Sequence, residues 1–261
     1  MRENQKTPPS KIRLYLGAET DGVSEKPQRF EACAQFDVSP DQHHYLRNVM
    51  RCAPADRLLV FNGQDGEWQA EIAEMSKKLT RITLLQPVRA QTELPNIWLL
   101  FSPIKKGRLD YMAQKATEMG ARVIWPVRTA FTQGGTLKES RLRANAIEAA
   151  EQCGLLSVPT IKDQTDLQNI ISNWGQIAPN RQLIFCDEKA ATTDGLAALK
   201  PLKDQPIAVL IGPEGGFSDA ERAALSAMPE THIISLGPRI LRADTAAIAA
   251  LTACQIYLGD W

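Results

Sequence analysis

One local arrangement occurs twice near the end of this chain: a short apolar run, a Gly-Pro loop, then a helix start. Residues 206–211 read PIAVLI and lead into Gly212-Pro213-Glu214-Gly215-Gly216-Phe217; residues 231–236 read THIISL and lead into Gly237-Pro238-Arg239-Ile240-Leu241-Arg242. Runs of this length, rich in Ile, Leu and Val and bounded by glycine, predict buried strands. After the first loop, Ser218-Asp219-Ala220-Glu221 has the form of a capping box, with serine serving a free backbone N–H and glutamate reaching back. After the second, Asp244 is placed to cap the apolar helix that follows. Two such loops at neighbouring strand ends make a cleft walled by backbone, the usual ligand position in an open α/β sheet.

Glycine lets main chain approach a ligand closely, and proline stiffens a loop while removing a donor. Neither loop is a phosphate cradle, because the chain has no G-x-G-x-x-G and no G-x-x-x-x-G-K-[ST]. The cleft therefore suits a ligand held by backbone groups and apolar contact better than a triphosphate.

The 261 residues suffice for a large core and two domains. No run approaches the ~20 apolar residues that cross a bilayer, and the first residues lack the apolar centre of a signal peptide. Five scattered cysteines without a C-x-x-C point to a reducing cytoplasm rather than a disulfide framework or zinc site, and three histidines make a histidine metal cage a poor expectation. Net charge is zero, yet residues 101–143 hold nine basic side chains against three acids. A local basic patch on a neutral protein fits contact with a polyanion, and a solvated helix face explains it equally well. Lys105 and Lys106, just past a predicted strand end, tip the reading toward the polyanion.

The chain divides near residues 87–95. Before that point strands are expected over 11–16, 29–38, 57–61, 68–75 and 79–88, with a helix from Pro40 through Met50 capped by Ser39. Residues 62–66 (NGQDG) connect a hairpin. After it, strands at 96–101, 123–127 and 182–186 alternate with helices at 107–119 and 138–153, the latter ended by Gly154. Alternation of this kind predicts a mostly parallel sheet with helices on both faces, behind a small β-rich module.

The segments IGPEGGF (211–217) and LGPRILR (236–242), followed by Ala243-Asp244-Thr245-Ala246, resemble the paired signatures of the RsmE family of SPOUT-class RNA methyltransferases. The helix ends QKATEMG (114–120) and EAAEQCG (148–154), and the element HYLRNVMR (44–51), resemble further elements of that family in order. The resemblance implies an α/β fold: a SPOUT-type parallel sheet with a C-terminal trefoil knot over 93–261, preceded by a PUA-like β-barrel RNA-binding domain over 1–88. It implies S-adenosylmethionine-dependent methylation of N3 of a uridine in 16S (small-subunit) ribosomal RNA, free or within the small ribosomal subunit, by a cytoplasmic homodimer with no metal. It assigns the donor to Leu210, Ile211, Gly212, Pro213, Glu214, Gly215 and Gly216 in the first loop. In and after the second it assigns Leu236, Gly237, Ile240, Leu241 and Thr245. At Ala243 and Leu155 the chain departs from the family's hydroxyl and arginine.

Loss of the uridine N3 proton spreads negative charge onto O2 and O4, and a fixed guanidinium aimed at that charge favours the transition state. Arg242 is the expected catalytic cation, and Asp244 the carboxylate that accepts a proton, unless it serves only as a cap. N3 lies on the Watson–Crick edge, so the base must leave its stack. His44, Arg47 and Arg51, the last two at i,i+4 on one helix face, are expected RNA contacts together with Lys105 and Lys106. The final helix, 246–258, is apolar nearly all round, which predicts burial in a two-fold dimer. Two other readings stay open: a non-catalytic rRNA-binding protein of this fold, and a SPOUT methyltransferase with a different RNA target.

Overall fold

The computed structural model of the chain describes residues 12–17, 29–104, 106–133, 137–190 and 197–261, with backbone alone at 106, 197 and 198. The chain forms two units, residues 1–93 with 154–157, and residues 94–153 with 158–261.

In the first unit, β1 (Arg13–Tyr15), β2 (Gln35–Asp37), β3 (Arg57–Phe61), β4 (Glu67–Met75) and β5 (Thr80–Arg89) form a sheet in the order β1-β3-β4-β5-β2. Only the β1–β3 pairing is parallel. Alternate residues such as Leu58, Val60, Ala70, Ile72, Ile82 and Leu84 turn to one core, which Leu14, Val38 and Leu46 complete. The expected strand over 29–38 shrinks to Gln35–Asp37, because Cys33 has φ +68° and breaks the extended run. Ser39 caps α1 (Pro40–His44), as expected, and Gln42 reaches back to close a capping box. Past His44 the helix changes to a π-turn over Tyr45–Val49.

The second unit carries a parallel sheet built from β6 (Ile97–Phe101), β7 (Val123–Arg128), β8 (Thr160–Ile161), β10 (Gln182–Cys186), β11 (Ile207–Ile211) and β12 (Thr231–Ile234). Their order is β12-β10-β11-β6-β7-β8, and β9 (Thr165–Asp166) pairs with β7. All these pairings are parallel. Every residue of β11 is buried, as both faces are covered. Ile207, Val209 and Ile211 face α2 (Lys106–Glu118), α3 (Glu139–Cys153) and α7 (Ala243–Leu258) in one core. Ala208 and Leu210 face the other core, with α4 (Leu167–Ser172), α5 (Trp174–Ile177) and α6 (Asp219–Ser226). The short elements between residues 160 and 177, and a 3₁₀ turn at Ala197–Leu202, were not expected from the sequence.

Buried Gln255 secures α7, since its amide donates to Met119 O at the end of α2 (2.5 Å). Gly120 makes room for it: with φ +72°, a β-carbon there would fall 2.6 Å from Gln255 Nε2. Among the described residues no helix is long and apolar enough to cross a membrane.

Candidate functional site

The chain enters the parallel sheet at β6, fills one side with β7 and β8, and returns to fill the other with β10, β11 and β12. Ligands of open α/β sheets bind beyond the carboxyl ends of strands where the order reverses in this way. A cleft of about 240 Å³ lies beyond the carboxyl ends of β10, β11 and β12, on the β11 side of that reversal.

The first wall is the loop after β11. Pro213 O accepts from Gly216 N (2.9 Å), closing a tight turn whose last residue has φ +67°. A β-carbon on Gly216 would also fall 2.5 Å from Glu188 Oε1. Gly212 is required for another reason: its missing β-carbon admits the Phe217 ring, which is buried edge-on against Phe185 with centroids 4.8 Å apart. The loop passes into α6 through the expected capping box, with Ser218 Oγ accepting from Glu221 N. The second wall is the loop after β12. Gly237 has φ +109°, and a β-carbon there would meet nothing within 4 Å. Ile240 in the same loop is 88% exposed.

A third wall, not expected from the sequence, is the end of β10. Cys186, Asp187 and Glu188 line the cleft. Arg222 holds the acids in place, donating to both Asp187 oxygens (2.9 and 3.1 Å), to Glu188 Oε1 (2.8 Å) and to Phe217 O. The neighbouring carboxylates, Asp187 first, push the Arg222 pKa up. Burial, with the neighbouring Cys254 adding to it, pushes the Cys186 thiol far up, which keeps it protonated and unreactive. Among the described residues no cysteine forms a disulfide.

Of the residues assigned to the donor, Ile211, Gly212, Pro213, Glu214, Gly215, Gly216, Leu236, Gly237, Ile240 and Leu241 line the cleft. Leu210 is buried in the sheet and Thr245 is exposed on α7; neither is part of the lining. Asp244 does not cap α7. The helix starts at Ala243, two residues earlier than a cap at Asp244 requires, so Arg242 is the N-cap residue and Asp244 lies within the first turn. The Asp244 carboxylate instead accepts from Thr245 N (2.9 Å) and lies 3.8 Å from Arg108 Nε. Arg108 also reaches Glu214 (3.7 Å), which brings together two acids from the two loop regions. The Arg242 side chain is exposed.

The expected RNA contacts divide. His44 is exposed, with its Nδ1 2.8 Å from Asn48 Nδ2. Arg47 folds back onto Ser76 O. Arg51 is exposed in the left-handed region at φ +55°, beyond the π-turn, so the expected i,i+4 face shared with Arg47 does not form. Lys105 lies outside the described residues, and Lys106 opens α2. Much of the basic segment is paired internally: Lys115 with Glu118, Arg122 with Leu94 O, Arg128 with Asp166 and Arg141 with Asp110. Among the described residues no cluster of His, Cys, Asp or Glu is placed to hold a metal ion.

The lining carries three acids, Asp187, Glu188 and Glu214, against one base, Arg239. Arg222 engages the first two acids and Arg108 lies 3.7 Å from the third, so the rim is close to charge-balanced.

Residues 92–255 match the family model described as an RNA methyltransferase domain. Residues 38–85 match the one described as an RNA methyltransferase PUA domain. The chain is 29% identical to a ribosomal RNA small subunit methyltransferase E from Rickettsia conorii, over 85% of this chain and 90% of that protein. It is 30% identical to the protein of the same name from Buchnera aphidicola subsp. Schizaphis graminum, over 86% and 92%. A crystal structure of a ribosomal RNA small subunit methyltransferase E from Neisseria gonorrhoeae, bound to S-adenosyl methionine, superposes with a TM-score of 0.78 at 26% identity, covering 96% of this chain and 99% of that one.

Proposed function

The chain belongs to the RNA methyltransferase family of the ribosomal RNA small subunit methyltransferase E proteins, and from that premise we propose that it methylates N3 of a uridine in 16S ribosomal RNA with S-adenosylmethionine as donor. The observation that carries this reading is the cleft itself: three strand ends and positive-φ glycines around a backbone-walled pocket, in a chain with no phosphate loop. Gly237 would offer open backbone to the donor, and Glu188 and Glu214, which also engage Arg222 and Arg108, would lie along a ligand whose sulfonium and ammonium are cationic. The donor, when bound, supplies a methyl group already activated by its sulfonium.

The chain's own task is to deliver N3 without its proton. Asp244, held beside Arg108, accepts that proton, and Arg242 at the start of α7 faces the charge that develops on O2 and O4. RNA binding belongs to residues 1–88, where exposed His44 and Arg51 contact phosphate or base, assisted by Lys105 and Lys106. Arg47, tied to Ser76, positions the π-turn instead. The trefoil knot, the cytoplasmic setting and a two-fold dimer complete the proposal. The dimer is supported by the outer face of α7, where Ile256 is 58% exposed, and by Trp261 just beyond it at 60%.

Mapping of modified nucleosides in 16S rRNA from cells lacking this gene tests the reading. Loss of 3-methyluridine, restored by the wild-type chain, is the expected result; unchanged 3-methyluridine contradicts it.

A further inference from the structure

Phe131 is a large aromatic side chain that is 47% exposed, on the turn that follows β7. An exposed phenylalanine alone is unremarkable, but the support beneath this one is not. Thr129 O accepts from Thr132 N (3.1 Å), and Thr132 Oγ1 accepts from Thr129 N (2.7 Å), so the turn is closed twice. Thr132 Oγ1 also lies 2.7 Å from the hydroxyl of Ser102, a fully buried residue at the end of β6. Ser102 N in turn donates to Ile211 O (3.0 Å), at the root of the first glycine loop. From the other side, Ala130 N donates to Glu221 Oε1 (2.7 Å), the carboxylate of the α6 capping box. The backbone on both sides of Phe131 is thereby locked to the elements that build the cleft.

The ring also packs beside the cleft. A β-carbon on Gly215 would fall 3.1 Å from Phe131 Cβ and 3.6 Å from its Cγ, so Phe131 packs on a residue that lines the cleft. Phe131 itself is not part of that lining, which separates it from the donor's own contacts. A rigid, half-exposed aromatic ring beside a methyl-transfer cleft has the properties of a stacking platform for an unstacked base.

We propose that Phe131 stacks on the target pyrimidine and holds it at the edge of the donor cleft. The inference rests on the functional reading given above and adds a substrate-contacting residue to it.

The test compares Phe131→Ala, Phe131→Leu and Phe131→Tyr. Leucine keeps apolar packing on Gly215 but has no π face, whereas tyrosine keeps both. Three quantities are measured for each variant: donor affinity by calorimetry with S-adenosylmethionine, single-turnover methylation of 16S rRNA at subsaturating RNA, and anisotropy with a uridine-centred oligoribonucleotide and its abasic counterpart. Loss of one base–aromatic stack lowers affinity by about 5- to 100-fold. Alanine and leucine should both show that loss in rate and RNA affinity, with donor affinity and thermal midpoint unchanged, and tyrosine should restore both. With the abasic oligoribonucleotide the wild type should fall to the level of Phe131→Ala, and the substitution should then have no further effect.

A leucine variant equal to wild type overturns the inference, as does an alanine effect that persists in full on the abasic RNA. A wild-type protein that leaves rRNA unmethylated overturns the functional reading instead, and the abasic comparison still decides whether Phe131 stacks. Absence of any RNA binding overturns both.

Discussion

Arg108 Nε lies 3.8 Å from the Asp244 carboxylate, which ties the first turn of α2 to the first turn of α7 beside the cleft. The same guanidinium reaches Glu214. Arg108 and Arg242 thus have different expected roles, the first engaged with acids and the second exposed at the N-cap of α7. Arg242→Ala should slow single-turnover methylation on the order of 100-fold with donor affinity unchanged, because it acts on charge that exists only in the transition state. Asp244→Asn, which keeps size and hydrogen-bonding capacity, should abolish turnover. Rates equal to wild type would reduce Arg242 to a surface residue and Asp244 to a partner of Arg108.

Gly237 tests whether the second loop needs its backbone conformation. A side chain there meets open space, so any cost of Gly237→Ala arises from φ +109° and from obstruction of the cleft. The strain is worth about 1–3 kcal/mol. Calorimetry should show weakened donor binding at a thermal midpoint lowered only modestly. Unchanged donor affinity would remove Gly237 from the donor's contacts.

Gln255→Leu should destabilise the second unit by about 1–3 kcal/mol, because Met119 O loses its buried donor. Urea unfolding measures it. A stability equal to wild type would mean that water or another donor replaces the amide.

How much of this was legible in the sequence follows from how local the determining chemistry is. Strands 57–61 and 182–186, the Ser39 cap and the Ser218 capping box are set by adjacent residues, and they stand where the sequence places them. Most of the two glycine loops line the cleft for the same reason. The third wall was missed because Asp187 and Glu188 come to the cleft by strand order, with β10 between β11 and β12. An acidic pair just past a buried strand was the one signal available. The helical register of Arg47 and Arg51 failed because the chain switches to a π-turn at Tyr45, and no spacing rule records such a change. The Arg108 contacts with Glu214 and Asp244 join residues more than a hundred positions apart, beyond the reach of any motif.

His232 supplies a pH dependence. Burial holds its pKa below 6.5, while Nε2 lies 2.8 Å from Gln182 Oε1. The unfolded chain therefore binds more protons than the folded one in the window just below 6.5. This contribution to stability is complete above that value and is lost as pH falls through the folded-state pKa. Unfolding free energies measured on either side of pH 6.5 should show a shallower acid-side decline in His232→Gln than in wild type. An identical slope would show that His232 has the same pKa folded and unfolded.

Methyl transfer to N3 of a uridine in 16S rRNA is read directly by nucleoside mass spectrometry. Purified protein is incubated with S-adenosylmethionine carrying an isotopically labelled methyl group and with small ribosomal subunits, or their free 16S rRNA, prepared from cells lacking the gene. The account predicts labelled 3-methyluridine at one position with the wild type, and none with Asp244→Asn. Label in any other nucleoside, or no label with a protein that binds the donor, would contradict it.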